Sequence, residues 1–262
     1  MIVSQTALLG LACAALISLL APLLVYFAGR RRMTLSGRNI ALGAGTFVLF
    51  ALVFESAMHW YVLKHNPVTS AWINGHAWGF VAYAAGAAAL FEETGRFLAM
   101  RLFAKRTGDP GTAVAYGIGH GGIEAILVGA LAQISSLFMA VMLNLGRLDA
   151  MLAHNVPPAA LVKLHGTYAH LDFATALVGG MERVCALLIQ IGLSLLVWRA
   201  VSRKEARWFF LALAAHAGVD SLAAMFRKGM ISLFFTESIV AAIGALLLAF
   251  FLLKLPRRQS AA

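Results

Sequence analysis

Charge is scarce in this sequence. Asp, Glu, Lys and Arg make up 12% of its 262 residues, where a soluble domain carries about 25%. Hydrophobic residues make up 61%, and the mean hydropathy is +0.83. Together these values exclude a large water-soluble domain and make lipid the solvent. Cysteine is nearly absent. Cys13 and Cys185 both sit inside apolar runs, which argues against a structural disulfide or a Cys-based metal site. Acidic residues are also few, 11 against 21 Lys and Arg, for a net charge of +10. In a soluble chain that balance would suggest nucleic acid. Here the basic residues gather in short segments between apolar runs, no nucleic-acid motif accompanies them, and no nucleic-acid partner is expected. The segment 1–29 lacks a positively charged start; its first positive charges are Arg30, Arg31 and Arg32. It reads as a retained first helix rather than a cleaved signal peptide. No internal repeat or low-complexity stretch is evident.

What the sequence does hold is a succession of apolar runs. They predict an all-α polytopic membrane bundle, a single integral membrane domain over residues 1–262. About seven spans are expected, at 5–27, 40–63, 77–103, 112–144, 168–198, 208–226 and 232–254. Each is long enough to cross ~30 Å of hydrocarbon at ~1.5 Å per residue. The connecting segments alternate in charge. One set holds Arg30, Arg31, Arg32, Arg38, Arg101, Lys105, Arg106, Arg199, Arg203, Lys204, Arg207, Lys254, Arg257 and Arg258. The other holds only Lys64, Arg147, Lys163, Arg227 and Lys228. The positive-inside rule places the rich side in the cytoplasm, with the N-terminus outside and the C-terminus cytoplasmic. Trp60, Tyr61, Trp72, Trp78 and Trp198 fall near span ends, as an aromatic belt would.

Charged groups inside spans cost a few kcal/mol each on insertion scales, so they are candidate functional residues. Three clusters qualify: Glu92-Glu93-Thr94-Gly95-Arg96, His120-Gly121-Gly122-Ile123-Glu124 and His216-Ala217-Gly218-Val219-Asp220. Each contains an i,i+4 pair on one helix face: Glu92/Arg96, His120/Glu124 and His216/Asp220. Each also lies eight residues from the basic end of its span, counted from Met100, Thr112 and Trp208. Eight helical residues are ~12 Å, so the clusters are expected at one depth inside the membrane. The core bundle that carries them runs from about 77 to 226. Glycines at 95, 117, 119, 121, 122 and 218 flank the clusters; they can bring helices together or leave room for a substrate backbone.

These groups suit hydrolysis. A carboxylate and a histidine on adjacent helices can hold and deprotonate a water, and a second histidine can polarise a carbonyl. Arg96 beside two glutamates favours an ionised carboxylate. The same His and Glu groups, His120, Glu124, His216 and Glu92, are zinc ligands by type. HExxH is absent; His120 and Glu124 have its spacing but not its second histidine. A cation or proton transporter with an intramembrane His/Glu site is the competing reading.

The clusters EETGR, GHGGIEA and HAGVD resemble the YhfC family of intramembrane proteases. More distantly they are similar to the type II CAAX prenyl endopeptidases and their bacterial CPBP (Abi) relatives. The resemblance runs from about Phe91 to the end of the sixth span. It implies a catalytic set of Glu92, Glu93, Arg96, His120, Glu124, His216 and Asp220. Glu92 would activate water, His120 would be the first catalytic histidine, and His216 with Asp220 would stabilise the oxyanion. It implies either a glutamic or a zinc-dependent mechanism and a membrane-embedded or lipidated peptide substrate. The setting it implies is the lipid bilayer of a bacterial inner membrane. Two departures from the wider group stand out. The Glu-Glu to Arg spacing is one residue short of EExxxR, and Glu124 is an extra carboxylate.

Other polar groups have plainer readings. Glu182-Arg183 reads as an internal ion pair or a support for the catalytic cluster. Glu55/His59 reads as an interfacial or helix-pairing couple. His65, His76, His154, His165 and His170 fall in or near the outer loops, where exposed histidines are usual.

Overall fold

The computed structural model describes residues 2–104 and 109–254. Lys105, Arg106, Arg257 and Arg258, counted above on the basic side, lie outside the described residues. Among the described residues there are helices and no strand. In chain order they are α1 (Gln5–Arg30), α2 (Gly37–His65), α3 (Pro67–Gly75), α4 (Ala77–Phe103) and α5 (Pro110–Asn144), then α6 (Leu148–Leu152), α7 (Pro158–Ala169), α8 (Phe173–Arg203), α9 (Ala206–Arg227) and α10 (Leu233–Lys254). The protein is an all-α membrane helix bundle.

Six of these helices, α1, α2, α5, α8, α9 and α10, are long and apolar enough to cross a membrane. Helix α4 has 27 residues. It meets the length, but Glu92, Glu93, Arg96 and Arg101 lower its apolarity. Two helices carry π-helical stretches, at Val48–Glu55 and Tyr61–His65 in α2 and at Ala125–Ala130 in α5. Such stretches widen the turn and often occur at functional sites.

Helix ends follow local chemistry. Helix α8 begins at Phe173, later than the expected 168, because Asp172 caps it: Thr175 N–H donates to Asp172 Oδ1 at 2.7 Å. That bond holds the Asp172 carboxyl below its usual range. The C-termini of α5, α8 and α9 close alike. A residue with positive φ follows each (Gly146 at 68°, Lys204 at 55°, Gly229 at 69°). The next N–H then reaches back to Met142, Ala200 or Met225 at 2.9, 3.1 or 2.9 Å, the Schellman closure.

The chain packs as two compact units, and α1, α5 and α8 contribute to both. In residues 2–21 and 125–184, the core is built from Val3, just before α1, and Ala7 and Leu11 of α1 with Ala140, Leu143 and Ala176. Asn144 ties down the start of the chain, its Oδ1 accepting the N–H groups of Ile2 and Val3 at 2.8 Å each. Arg183 donates to its neighbour Glu182 within this unit.

The second unit comprises residues 22–104, 109–124 and 185–254. Its core joins Met100, Tyr116, Leu193, Val197 and Ala212. Helices α2 and α5 meet here backbone to backbone. A Cβ on Gly43 would lie 2.1 Å from the Tyr116 carbonyl oxygen, and one on Gly119 would lie 1.9 Å from that of Ile40. Without a hydrophobic drive in lipid, such close approach is what holds membrane helices together. It also fixes where α5 presents His120.

Candidate active site

Helix α4 enters the second unit with its polar cluster turned inward. Glu93 and Arg96 have no exposed surface, and Glu92 retains 7%. The close contacts of Arg96 are not with Glu92, its i,i+4 neighbour. Its guanidinium reaches Glu93 three residues back, with Nη2 3.4 Å from Oε1. It also donates to three acceptors on α8: the Gln190 carbonyl at 2.9 Å, Ser194 Oγ at 3.1 Å and the Gln190 side-chain oxygen. The fork geometry of arginine allows this spread, which a lysine could not reproduce.

Gln190 organises the centre. Arginine only donates, so the Gln190 oxygen must face Arg96 and its Nε2 must face the carboxylates. That nitrogen donates to Glu92 Oε2 at 3.2 Å and to Glu124 Oε2 at 2.9 Å. One amide thus aligns two carboxylates from different helices.

The histidines converge on the same point. His120, fully buried, places Nε2 2.9 Å from Glu92 Oε2. Its ring packs edge-on to Phe47 and stacks on Tyr116, with centroids 5.2 and 6.0 Å away. His216 on α9 places Nδ1 2.7 Å from Glu93 Oε1, while its Nε2 lies 3.9 Å from Glu92 Oε2 and 3.5 Å from Asp220 Oδ2. A carboxylate at Nδ1 holds the proton on that nitrogen and turns Nε2 toward Glu92. Exposure rises along the series, from 0% for the Glu93 side chain to 10% for Glu92 and 34% for Asp220. All seven residues singled out in the sequence fall in one unit, and the contacts above link them through Gln190 into one network.

The pairings differ from the spacing argument. His216/Asp220 touch as an i,i+4 pair, but the short bonds of Glu92, Glu93 and Arg96 run to neighbours on other helices or three residues away. Interhelical bonds prevail because α4 is packed on several sides, and its buried polar groups take the partners that packing supplies. Gln190 and Ser194 were missed because only charged residues and histidines were weighed inside spans. Gln190 is an uncharged polar residue at the centre of an apolar run, and the same criterion extended to amides would have found it. The glycines resolve toward packing. Added Cβ atoms at Gly95, Gly117 and Gly121 would meet Phe50, Ile191 and Gln190 at 2.5, 2.6 and 2.9 Å. Gly218 alone among those six has nothing within 4 Å.

The YhfC intramembrane metalloprotease family model matches residues 17–241. The chain belongs to the YhfC family. It is 34% identical over 257 residues to the uncharacterized membrane protein YhfC of Bacillus subtilis (strain 168), covering 97% of this chain and 98% of that protein. No solved structure matches it. Together with the six apolar helices, the relative makes this YhfC-family chain an integral membrane protein.

The family's description names a metal, and the donor set here fits one chemically. His120 and His216 both turn Nε2 toward Glu92 Oε2, and imidazole nitrogen and carboxylate oxygen are zinc donors. Glu93 on His216 Nδ1 is the outer carboxylate that orients a ligating histidine. His120 Nδ1 has no protein partner among the described residues, so His120 lacks the outer acceptor that His216 has in Glu93. Among the described residues, no three His, Cys, Asp or Glu side chains form a ready-made ion cage.

The remaining polar groups lie outside this cluster. His59 bridges Glu55 at 3.1 Å and the Tyr83 hydroxyl at 2.9 Å, so the expected helix pair extends to a third residue on α4. His65 and His76 stack on Trp60 and Trp72, with centroids 4.8 and 5.0 Å away. His165 pairs with Asp149 at 2.7 Å.

Proposed function

We propose that this YhfC-family chain is an intramembrane peptidase. It hydrolyses peptide bonds of a membrane-embedded or lipidated substrate near the cytoplasmic leaflet of the bacterial inner membrane. The observation that carries this reading is the convergence of His120, His216 and Gln190 on a single carboxylate oxygen of Glu92. That is a base, its orienting donors and a second titratable group within one water-sized radius.

The chain's own residues divide the work. Glu92 takes a proton from the attacking water as the oxygen bonds to the substrate carbonyl carbon. His216, protonated on both ring nitrogens with its Nδ1–H anchored by Glu93, donates its Nε2–H to the developing oxyanion, with Asp220 as counter-charge. The C–N bond then breaks, and the proton held on Glu92 passes to the leaving amine, leaving a carboxylic acid and an amine. Gln190 keeps Glu92 and Glu124 side by side, so one can accept a proton while the other keeps its charge. Arg96 positions Gln190 and Glu93 and touches no reacting atom. Zinc, when bound, would be held by His120 and His216 with Glu92 or Glu124, and would supply Lewis acidity toward water and carbonyl.

The experiment is reconstitution of the purified full-length protein in vesicles with single-span test peptides, read by mass spectrometry for new termini. New termini in the half of the span nearer the basic end are the expected result. Cation or proton flux with no peptide cleavage would transfer the assignment to the transporter reading.

A further inference from the structure

Helices α8 and α10 touch along part of their length, where Cβ atoms on Gly192 and Gly244 would meet Leu247 and Cys185 at 3.1 and 2.9 Å, but α8, α9 and α10 do not fill the space among the three of them. Between them lies an apolar groove of about 840 Å³. Its walls include Ile189, Leu196, Val219, Leu222, Ile243 and Leu247. Gly218 opens it further, since nothing lies within 4 Å of where its Cβ would be. The groove is set apart from the hydrolytic cluster: Ala215, Gly218 and Leu222 face it, whereas His216 on the same helix reaches α4.

One end of the groove is unlike the rest. Arg199 is the one charged residue among the described lining residues. Its guanidinium lies 4.3 Å above the Trp208 ring, which also lines the groove. Arg199 Nε and the indole nitrogen of Trp198, another lining residue, are buried N–H donors with no protein partner among the described residues. The nearby carboxylate, Glu205, is taken by Arg207 at 2.7 Å and by the Trp208 indole at 2.7 Å. Arg32 stands at the same end of α10, donating to the Leu252 carbonyl at 2.7 Å. Buried donors without acceptors are costly, and an anion beside them would offset that cost.

The length of the groove indicates what fills it. From Ile189 to Arg199 is ten residues of α8, about 15 Å, or half of a ~30 Å hydrocarbon core. An apolar slot one leaflet deep with a cationic mouth matches a lipid of that leaflet. We propose that the groove between α8, α9 and α10 binds an anionic phospholipid, with an acyl chain along Ile189–Leu196 and its phosphate at Arg199 and Trp198.

The test uses full-length protein solubilised from vesicles of equal phosphatidylglycerol and phosphatidylcholine, with retained lipid counted by native mass spectrometry. Wild type is expected to retain phosphatidylglycerol preferentially. Arg199→Gln should reduce that preference about fivefold, the effect of one basic residue at an anionic surface. Gly218→Leu, which projects a side chain into the slot from a position where a Cβ meets nothing within 4 Å, should lower retention of both lipids. Equal retention of the two lipids by wild type, or an unchanged preference in Arg199→Gln, would overturn the proposal. So would undiminished retention in Gly218→Leu, which also decides the case if Arg199→Gln fails to fold. None of these readouts depends on peptide cleavage.

Discussion

Glu93 holds His216 from outside the place where chemistry would occur. Its Oε1 is 2.7 Å from His216 Nδ1 and 3.4 Å from Arg96 Nη2, so a fully buried carboxylate lies between a cation and an imidazole. Glu92, its neighbour in sequence, makes the other set of contacts, to His120 and Gln190. Adjacent helical residues point about 100° apart, so the two glutamates serve different partners. Glu93→Gln should therefore lower peptidase activity by about 10–100-fold, as loss of an outer carboxylate on a functional histidine does. The pH profile of the residual activity should shift, because the histidine loses its charged partner. An unshifted profile would assign Glu93 to folding alone.

Gln190 joins α8 to three charged residues on two other helices, Arg96, Glu92 and Glu124. Gln190→Leu strips Arg96 of a buried acceptor and removes one donor from each of two carboxylates. It should cost about 3 kcal/mol of stability, in the range for removing one partner of a buried charge. Gln190→Glu keeps the acceptor for Arg96 but sets a third carboxylate against Glu92 and Glu124. It should stay closer to wild type in unfolding midpoint while losing activity. Equal midpoints for the two variants would contradict this account.

The close packing of α2 on α5 makes a separate prediction. Gly119→Ala places a Cβ 1.9 Å from the Ile40 carbonyl oxygen, so the helices must part. The expected cost is about 3 kcal/mol or more, the upper end for overpacking. Activity should fall with it, since His120 is one residue away. Gly218→Ala, whose added Cβ meets nothing within 4 Å, should fold normally and serves as the control in the same thermal unfolding assay.

The turn from α8 to α9 can be improved. Lys204 adopts φ of 55° where the equivalent closures of α5 and α9 use Gly146 and Gly229. Lys204→Gly should raise stability by about 1 kcal/mol, the cost of a side chain in the left-handed region. Glu205 beside it is held below the usual carboxylate range by its bonds from Arg207 and Trp208. Its contribution is therefore present above the ordinary carboxylate pKa and fades as pH falls through the lowered value. The gain from Lys204→Gly should persist at acidic pH, where that of Glu205 does not.

Much of the site was legible in the sequence because lipid makes charge conspicuous. Glu92, Glu93, Arg96, His120, Glu124, His216 and Asp220 stood out against apolar runs, and counting residues from the basic ends placed three clusters at one level. Which atom met which was not legible. A count along one helix cannot say that Arg96 turns to Glu93 and α8, or that His120 reaches Glu92, because those choices depend on how neighbouring helices rotate. Gln190 was hidden by its neutrality. The starts of α8 and the short helices α3 and α7 were obscured because capping and turn chemistry, rather than hydropathy, sets them. Orientation across the membrane rests on the basic residues, and reporter fusions after Arg32 and Arg203 are expected to signal cytoplasm, with those after Lys64 and Lys163 outside.

The most direct test compares peptide cleavage by wild type, Glu92→Gln and His120→Ala in reconstituted vesicles, with bound zinc measured on the same preparations. Gln keeps the shape of Glu92 and its bond to Gln190 but cannot take a proton. Each variant should fold and lose about 10²–10⁴-fold in rate, the usual effect of removing a general acid–base group. If His120 also holds a metal, bound zinc should fall in His120→Ala. Full cleavage by a protein carrying both Glu92→Gln and His120→Ala would contradict the central claim, whatever its zinc content.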